Sequence, residues 1–251
     1  MDKEQYLQRI KFTNEIVIDE DTLINLHEHH VFNVPFENID IYYRRLFSLE
    51  IERIFEKVVL NFRGGFCYEL NSIFDVLLRQ IGFNSKIISA RIIGDYGALG
   101  PEYDHMSVFV ECNNKKYLAD VGFGHLFIRP LEIRSGIQSD GRNFFMIQEI
   151  NTQDYVVSMS SDKINFYKKY RFNLREVSIE NFVDICLEKQ TNPSSYFVKN
   201  IICTKPTIQG RLTIKNGNLI EQKNGVRTEK LIRNEYELRT ELRNKFDILI
   251  K

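Results

Sequence analysis

The hydrophobic pattern changes its period at Gly82, and this change limits the possible folds more than any other feature of the chain. Before it, Leu70, Ile73, Phe74, Leu77, Leu78 and Ile81 recur at i, i+3 and i+4 spacing without a gap, which predicts a helix beginning near Cys67. Gly82 is a natural terminator, because glycine readily takes the left-handed conformation that ends helices. After it the chain reads as strands. "SKIISARII" is short and β-branched, and "MSVFVE" and "KYLADVGF" flank "CNNK", a hairpin with Asn113-Asn114 at its turn. "NFFMIQEI", "DYVVSMS" and "INFYKKYRF" continue the pattern to about residue 172. Further helices are expected after Asp19 or Asp21 and over "SLEIERIFEKVVL", "SIENFVDICLEKQTN" and "NEYELRTELRNKF". A late strand pair turns at Asn216-Gly217. The chain therefore reads as α+β, with a helical first third, an antiparallel β middle and a mixed end.

With 43% hydrophobic residues in 251, the chain can bury a sizeable core. Lys+Arg and Asp+Glu both number 34, so bulk charge recruits neither nucleic acid nor an anionic membrane. The charged start "MDKEQYLQRI" has no apolar core of a signal peptide, and no run of about 18 apolar residues predicts a membrane span. Cys67, Cys112, Cys186 and Cys203 lack CxxC spacing, so they read as neither a zinc site nor a disulfide framework. A reduced, cytoplasmic protein is the expectation.

Cys67 stands apart in "NFRGGFCYELN". It follows Gly64-Gly65 and opens a helix, where exposed N–H groups and the helix dipole favour an anion. Such positions lower a thiol pKa from ~8.5 and make the sulfur nucleophilic. A buried, inert helix cysteine fits this stretch equally well. A nucleophile also needs a base and an orienter. If Asn113-Asn114 is a two-residue turn, residue 107 faces 120, and Asp120 becomes a diagonal neighbour of His105 on one face. Cys67, His105 and Asp120 thus form a candidate triad. His27, His29 and His30 lack the HExxH spacing of a zinc site and read as a solvated helix end, so no metal is expected. Glu37, after Pro35-Phe36, is placed to pair with Arg63 and hold the cysteine loop.

Taken together and in order, "VPFENIDI" (34–41), "RGGFCYELN" (63–71), His105 before "MSVFV" and "DVGFG" (120–124) resemble the arylamine N-acetyltransferases. "YLQRI" (6–10) and "NPSSYF" (192–197) extend the resemblance over most of the chain. It implies three parts: a helical bundle (1–85) carrying Cys67, an antiparallel β-barrel (86–190) carrying His105 and Asp120, and an α/β lid (191–251). It also implies ping-pong transfer of acetyl from acetyl-CoA, through acetyl-Cys67, to aromatic amines, hydrazines or hydroxylamines, with no permanently bound cofactor. Arg9, Glu37 and Arg63 would form a structural charge cluster, and Phe36, Phe66, Phe123 and Phe197 would line the acceptor pocket. Gly122, Phe123, Gly124 and His125 would border CoA. His125 and Leu126 stand where the family often has small residues, and Arg129 follows. The triad order alone also fits a transglutaminase-like or papain-like hydrolase. A macrolactam-forming amide synthase, or a binding module with a vestigial triad, fits as well.

Overall fold

The structure, a computed structural model, describes residues 1–250. Five helices open the chain: α1 (Lys3–Arg9), α2 (Glu20–Asn33), α3 (Ile39–Tyr42), α4 (Ile51–Phe55) and α5 (Cys67–Ile81). Asp19 caps α2 by accepting from the Thr22 N–H at 2.8 Å. Gly82 ends α5 in the left-handed conformation at φ 115°, as its sequence predicts. After Phe55 the chain widens into a π-helical turn, Glu56–Leu60, closed by the Asn61 N–H donating to Glu56 O at 2.8 Å. This irregularity points Lys57 inward, where it becomes a buried cation.

Eight strands then build one antiparallel sheet that nearly closes into a barrel. These are β2 (Asn84–Ile92), β3 (His105–Cys112), β4 (Lys115–Leu118), β5 (Leu131–Glu132), β6 (Ile137–Ser139), β7 (Phe144–Glu149), β8 (Asp154–Ser160) and β9 (Tyr167–Glu176). Their spatial order is 5-4-3-2-9-8-7-6. The β3–β4 hairpin has the expected register, with Cys112 opposite Lys115. Asn113 and Asn114 take φ 51° and 61°, the left-handed pair of a type I′ turn. Outward-facing Val108 and Val110 pack on Leu70, Ile73, Phe74 and Leu77 of α5, and Phe109, Leu118, Phe145 and Phe172 fill the barrel. Alternation thus gives each strand one face to the helices and one to the barrel interior.

A second antiparallel sheet has the order β1-β10-β11-β12-β13, with β10 (Ile202–Thr207), β11 (Gly210–Lys215), β12 (Asn218–Lys223) and β13 (Val226–Leu231). Its edge strand β1 (Phe36–Glu37) comes from the helical third, opposite Thr204 and Cys203. One sheet face packs Ile214 and Leu219 against Leu238, Leu242 and Phe246 of α8 (Glu235–Phe246). The short helices α6 (Val183–Thr191) and α7 (Tyr196–Lys199) bridge barrel and lid. No helix among the described residues is long and apolar enough to cross a membrane.

Candidate active site

The loop before α5 is built by close approach. A Cβ on Gly64 would stand 2.2 Å from the Pro35 carbonyl oxygen, so only glycine fits beside the strand. Glu37 N–H donates to Gly65 O at 2.9 Å, and Gly65 N–H donates to Pro35 O at 3.2 Å. These bonds pin the loop to β1. Beneath them Arg63 Nε donates to Glu37 Oε1 at 2.9 Å, and Arg63 Nη2 lies 3.0 Å from Asp40 Oδ1. Lys57 bridges Asp40 and Glu69 at 2.8 and 2.9 Å. Glu69 in turn accepts from the Phe66 N–H at 2.8 Å, which fixes the first turn of α5. Burial disfavours the charges of Lys57 and Arg63, yet the surrounding carboxylates raise both pKa values above their ordinary ones.

Arg9 joins this cluster differently from Arg63. It donates to the carbonyls of Val58, Asn33 and Arg63 and touches no carboxylate among the described residues. Burial lowers its pKa to about 10. Asp40, Lys57 and Glu69 were missed in the sequence, although Asp40 and Glu69 lie inside its quoted motifs. Glu37 is fully buried, so Arg63→Ala strands a carboxylate and should cost about 3–5 kcal/mol of stability. Urea unfolding checks this, and an unchanged midpoint would show that water replaces the guanidinium freely.

Asp120 sits just beyond β4, and the hairpin register carries it back to His105. His105 Nε2 lies 2.6 Å from Asp120 Oδ2, leaving Nδ1 as the other ring nitrogen. The carboxylate accepts three more bonds: from Tyr170 Oη at 3.0 Å, Asn71 Nδ2 at 2.9 Å and Gly122 N–H at 2.9 Å. Burial opposes its ionisation, but His105 and these donors hold its pKa below the ordinary carboxylate value. Asn71 also donates to Met106 O and accepts from Val121 N–H, tying α5 to both strands of the hairpin. It lies four residues after Cys67, one helical turn along the same face, and that spacing was its signal in the sequence. A Cβ on Gly122 would meet Asn71 Nδ2 at 2.5 Å and Cys67 Cα at 2.9 Å, so glycine alone lets the two segments touch.

Cys67 and His105 line one cavity of about 810 Å³. Burial pushes the Cys67 thiol well up from its ordinary range, with Lys189 the first charge opposing it. This runs against the lowering expected from the helix N-terminus alone. Phe36, Phe66, Phe123 and Phe197 all line the same cavity. Phe66 stands 4.6 Å from Phe197 and 5.6 Å from Phe36, ring centre to ring centre, and Phe123 stands 5.3 Å from His105. Gly122, Gly124 and His125 line it too. His125 is exposed on the cavity wall. Partial desolvation by the surrounding protein, with the positive charges of Arg211, Lys169 and Lys215, pushes its pKa below the ordinary histidine value. Arg129 pairs instead with Glu28 outside the cavity.

The histidine cluster is not a solvated helix end. His27 and His30 are fully buried, because α2 packs this face on the core. His27 Nδ1 lies 2.9 Å from Ile128 O, and His30 Nδ1 lies 2.8 Å from Tyr6 Oη. Both ring nitrogens of His27 and Nδ1 of His30 thus find partners inside the protein, while His30 Nε2 has no hydrogen-bond partner among the described residues.

A family model described as N-acetyltransferase matches residues 19–251. The arylamine N-acetyltransferase of the pineal gland, isozyme NAT-10, from Gallus gallus is 29% identical, over all of this chain and 95% of that protein. A Bacillus cereus arylamine N-acetyltransferase structure, described by a unique Cys-His-Glu catalytic triad, superposes with a TM-score of 0.90 at 24% identity. That match covers 99% of this chain and 98% of the other. The Mycobacterium marinum arylamine N-acetyltransferase, solved in complex with CoA, superposes with a TM-score of 0.87 at 22% identity, over 98% and 93% of the two chains. An aromatic-lined cysteine beside a buried histidine–aspartate pair, on this fold and with these relatives, places the chain in the arylamine N-acetyltransferase family of transferases.

Proposed function

We propose that the chain transfers acetyl from acetyl-CoA to aromatic amines and hydrazines, and to the oxygen of arylhydroxylamines, through an acetyl-Cys67 intermediate. The observation that carries this reading is the convergence of Cys67 and the His105–Asp120 pair on one aromatic cavity. Binding of CoA by the Mycobacterium marinum relative supports the choice of donor. Where the Bacillus cereus relative is described with glutamate, this chain carries Asp120.

In the acylation step Cys67 Sγ attacks the thioester carbonyl as its proton passes to His105 Nδ1. The oxyanion forms near the start of α5, where Glu69 takes the Phe66 N–H but the N-cap residue Phe66 has no side-chain acceptor, so the N–H groups that follow are left to stabilise the charge. As the tetrahedral intermediate collapses, the C–S bond to CoA breaks and His105 returns the proton to the leaving thiolate. In the second step the amine nitrogen attacks acetyl-Cys67. His105 takes the nitrogen's proton, the bond to Cys67 breaks, and the sulfur is released. Arylamines are neutral at pH 7, so they need no prior deprotonation. Phe36, Phe66, Phe123 and Phe197 offer flat faces to the acceptor and limit loss of the acetyl group to water.

The buried thiol cannot easily lose its proton to solvent. It ionises by handing the proton to His105, and the ionised Asp120 holds the resulting imidazolium. Alkylation of the free protein by iodoacetamide should therefore persist below the ordinary thiol value of ~8.5. In Asp120→Asn the profile should move to higher pH, because burial then acts unopposed by that carboxylate. Profiles that superpose would remove Asp120 from this role. The activity itself is tested by acetyl-CoA consumption over a panel of aromatic amines and hydrazines, with a peptide substrate alongside. Peptide hydrolysis without acetyl transfer would overturn the reading.

A further inference from the structure

Asn38 stands at the N-cap of α3 and does not cap it. Asparagine there ordinarily accepts from N–H groups of the first turn. No side-chain bond runs from Asn38 to α3, and the first-turn N–H of Ile39 goes to Glu37 Oε2 at 2.7 Å. The Asn38 amide faces the other way, across to the chain between α7 and β10. Its Nδ2 donates to Phe197 O at 2.8 Å and to Asn200 O at 2.7 Å, and its Oδ1 accepts from the Ile202 N–H at 2.6 Å. The Asn38 N–H also donates to Ile202 O at 3.1 Å. Both amide protons are used, and a flipped amide would set its NH2 against an N–H and its oxygen against two carbonyls. Asn38 is 2% exposed, so water has little access to these bonds.

The segment held in this way carries Phe197. Its helix α7 has four residues and buries none of them, so its own packing fixes it weakly. Ser195 adds two bonds, accepting from the Phe197 N–H at 3.3 Å and donating to Lys189 O at 2.8 Å. The Phe197 ring meets Phe66, the residue before Cys67, edge to face at 4.6 Å, and the Lys189 ammonium lies 5.6 Å from its centre. The base of the latch is firm by contrast. Asn38 follows Glu37, whose buried carboxylate takes Arg63 beneath the cysteine loop. One amide thus ties a lightly packed aromatic segment to the network that fixes the nucleophile.

We propose that Asn38 is a positioning residue for the second half-reaction: it latches Phe197 against Phe66, and so sets how well acetyl-Cys67 is shielded from water and how the aromatic acceptor is held. Asn38 is not among the residues that line the cavity, so it acts through Phe197, which is. Water attacking the acetyl carbon breaks the same C–S bond as the amine does and gives acetate and the free Cys67 thiol. The partition between the two nucleophiles therefore depends on the closure of the aromatic wall. The inference rests on the acetyl-transfer reading above.

The test uses Asn38→Asp, which keeps the shape and the acceptor for the Ile202 N–H but sets an oxygen against the carbonyls of Phe197 and Asn200. With acetyl-CoA alone, CoA release in the first turnover should keep its wild-type rate. The steady hydrolysis that follows should rise about tenfold, and KM for an uncharged arylamine should rise by a similar factor, the scale of one lost hydrogen bond. Phe197→Ala should raise hydrolysis and KM likewise. The double variant should be no worse than Phe197→Ala, because Asn38 acts through that ring. Amide hydrogen exchange over 196–202 should quicken in Asn38→Asp and stay unchanged in α5. Additive effects of the two substitutions overturn the latch, as does wild-type hydrolysis in Asn38→Asp despite the faster exchange. First-turnover release slowed as much as the later steps would make Asn38 a general structural residue and also overturn it. Should Asn38→Asp fail to fold, wild-type hydrolysis in Phe197→Ala overturns the inference by itself. A wild-type protein that releases no CoA removes the acetyl-transfer reading and the inference with it, whereas a wild-type burst with unaltered variants removes the inference alone.

Discussion

Cys67→Ser should lower acetyl-CoA-dependent turnover about 10⁴-fold or more while leaving the fold in place. The substitution removes no methylene and keeps the size of the side chain close to that of cysteine. Cys67 is 5% exposed and opens α5, where serine is well tolerated. What changes is the sulfur itself. An alcohol is far harder to ionise than a thiol, so His105 cannot pull its proton away before attack, and an oxygen ester would be a poorer acetyl carrier. Turnover with a good arylamine and a thermal melt on the same preparation check both halves. Activity above one part in about a hundred of wild type, with a normal melt, would show another nucleophile.

Asp120→Asn should cost about 10³–10⁴-fold in turnover, on the scale seen when such a carboxylate is neutralised in other triads. Asp120 receives His105, Tyr170, Asn71 and Gly122, all of them donors to its two oxygens. Asparagine turns one oxygen into an NH2 group, which must face one of those donors. Near His105 it would select the tautomer that leaves Nδ1 protonated and unable to accept from Cys67. The loss should fall on kcat more than on binding of CoA. The stability curve should change as well. The carboxylate's folded pKa lies below its ordinary value, so it contributes stability above ~3.9 that disappears as pH falls through the lower folded value. The variant should therefore be less stable near neutrality and show a flatter acid limb. Turnover within about tenfold of wild type would mean that His105 is oriented without this charge.

The sequence was most legible where one periodicity ran uninterrupted. The helix from Cys67 to Ile81 follows from apolar spacing, and its stop at Gly82 from the glycine. The β3–β4 register follows from Asn113-Asn114, and with it the meeting of His105 and Asp120. Less legible were elements without an apolar face of their own. All six residues of β13 are exposed, so no alternation marks it; only Asn224-Gly225, a turn signal like Asn216-Gly217, hinted at a further hairpin. Pro206 lacks the N–H of a central strand, yet it lies beyond the two residues of β10 that β1 covers. β1 itself has two residues, too few for any pattern. Among site residues, buried charges were the hardest. Lys57 reads as a polar position on a surface helix, and only the π-helical turn carries it to Asp40 and Glu69. Tyr170 is one aromatic in a strand full of them, and its bond to Asp120 depends on barrel closure. His27 and His30 misled for a related reason. Histidine at a helix end suggests water, but α2 turns this face to the core.

The most direct measurement is the covalent one. The protein incubated with acetyl-CoA and no acceptor should gain the mass of one acetyl group, and peptide mapping should place it on Cys67. The aromatic lining should keep water from discharging it, and adding an arylamine should return the free protein. Initial rates at varied acceptor should then give parallel double-reciprocal lines. An acetyl group on Cys112, Cys186 or Cys203, label that persists in Cys67→Ser, or intersecting lines with no acetylated protein would contradict transfer through Cys67.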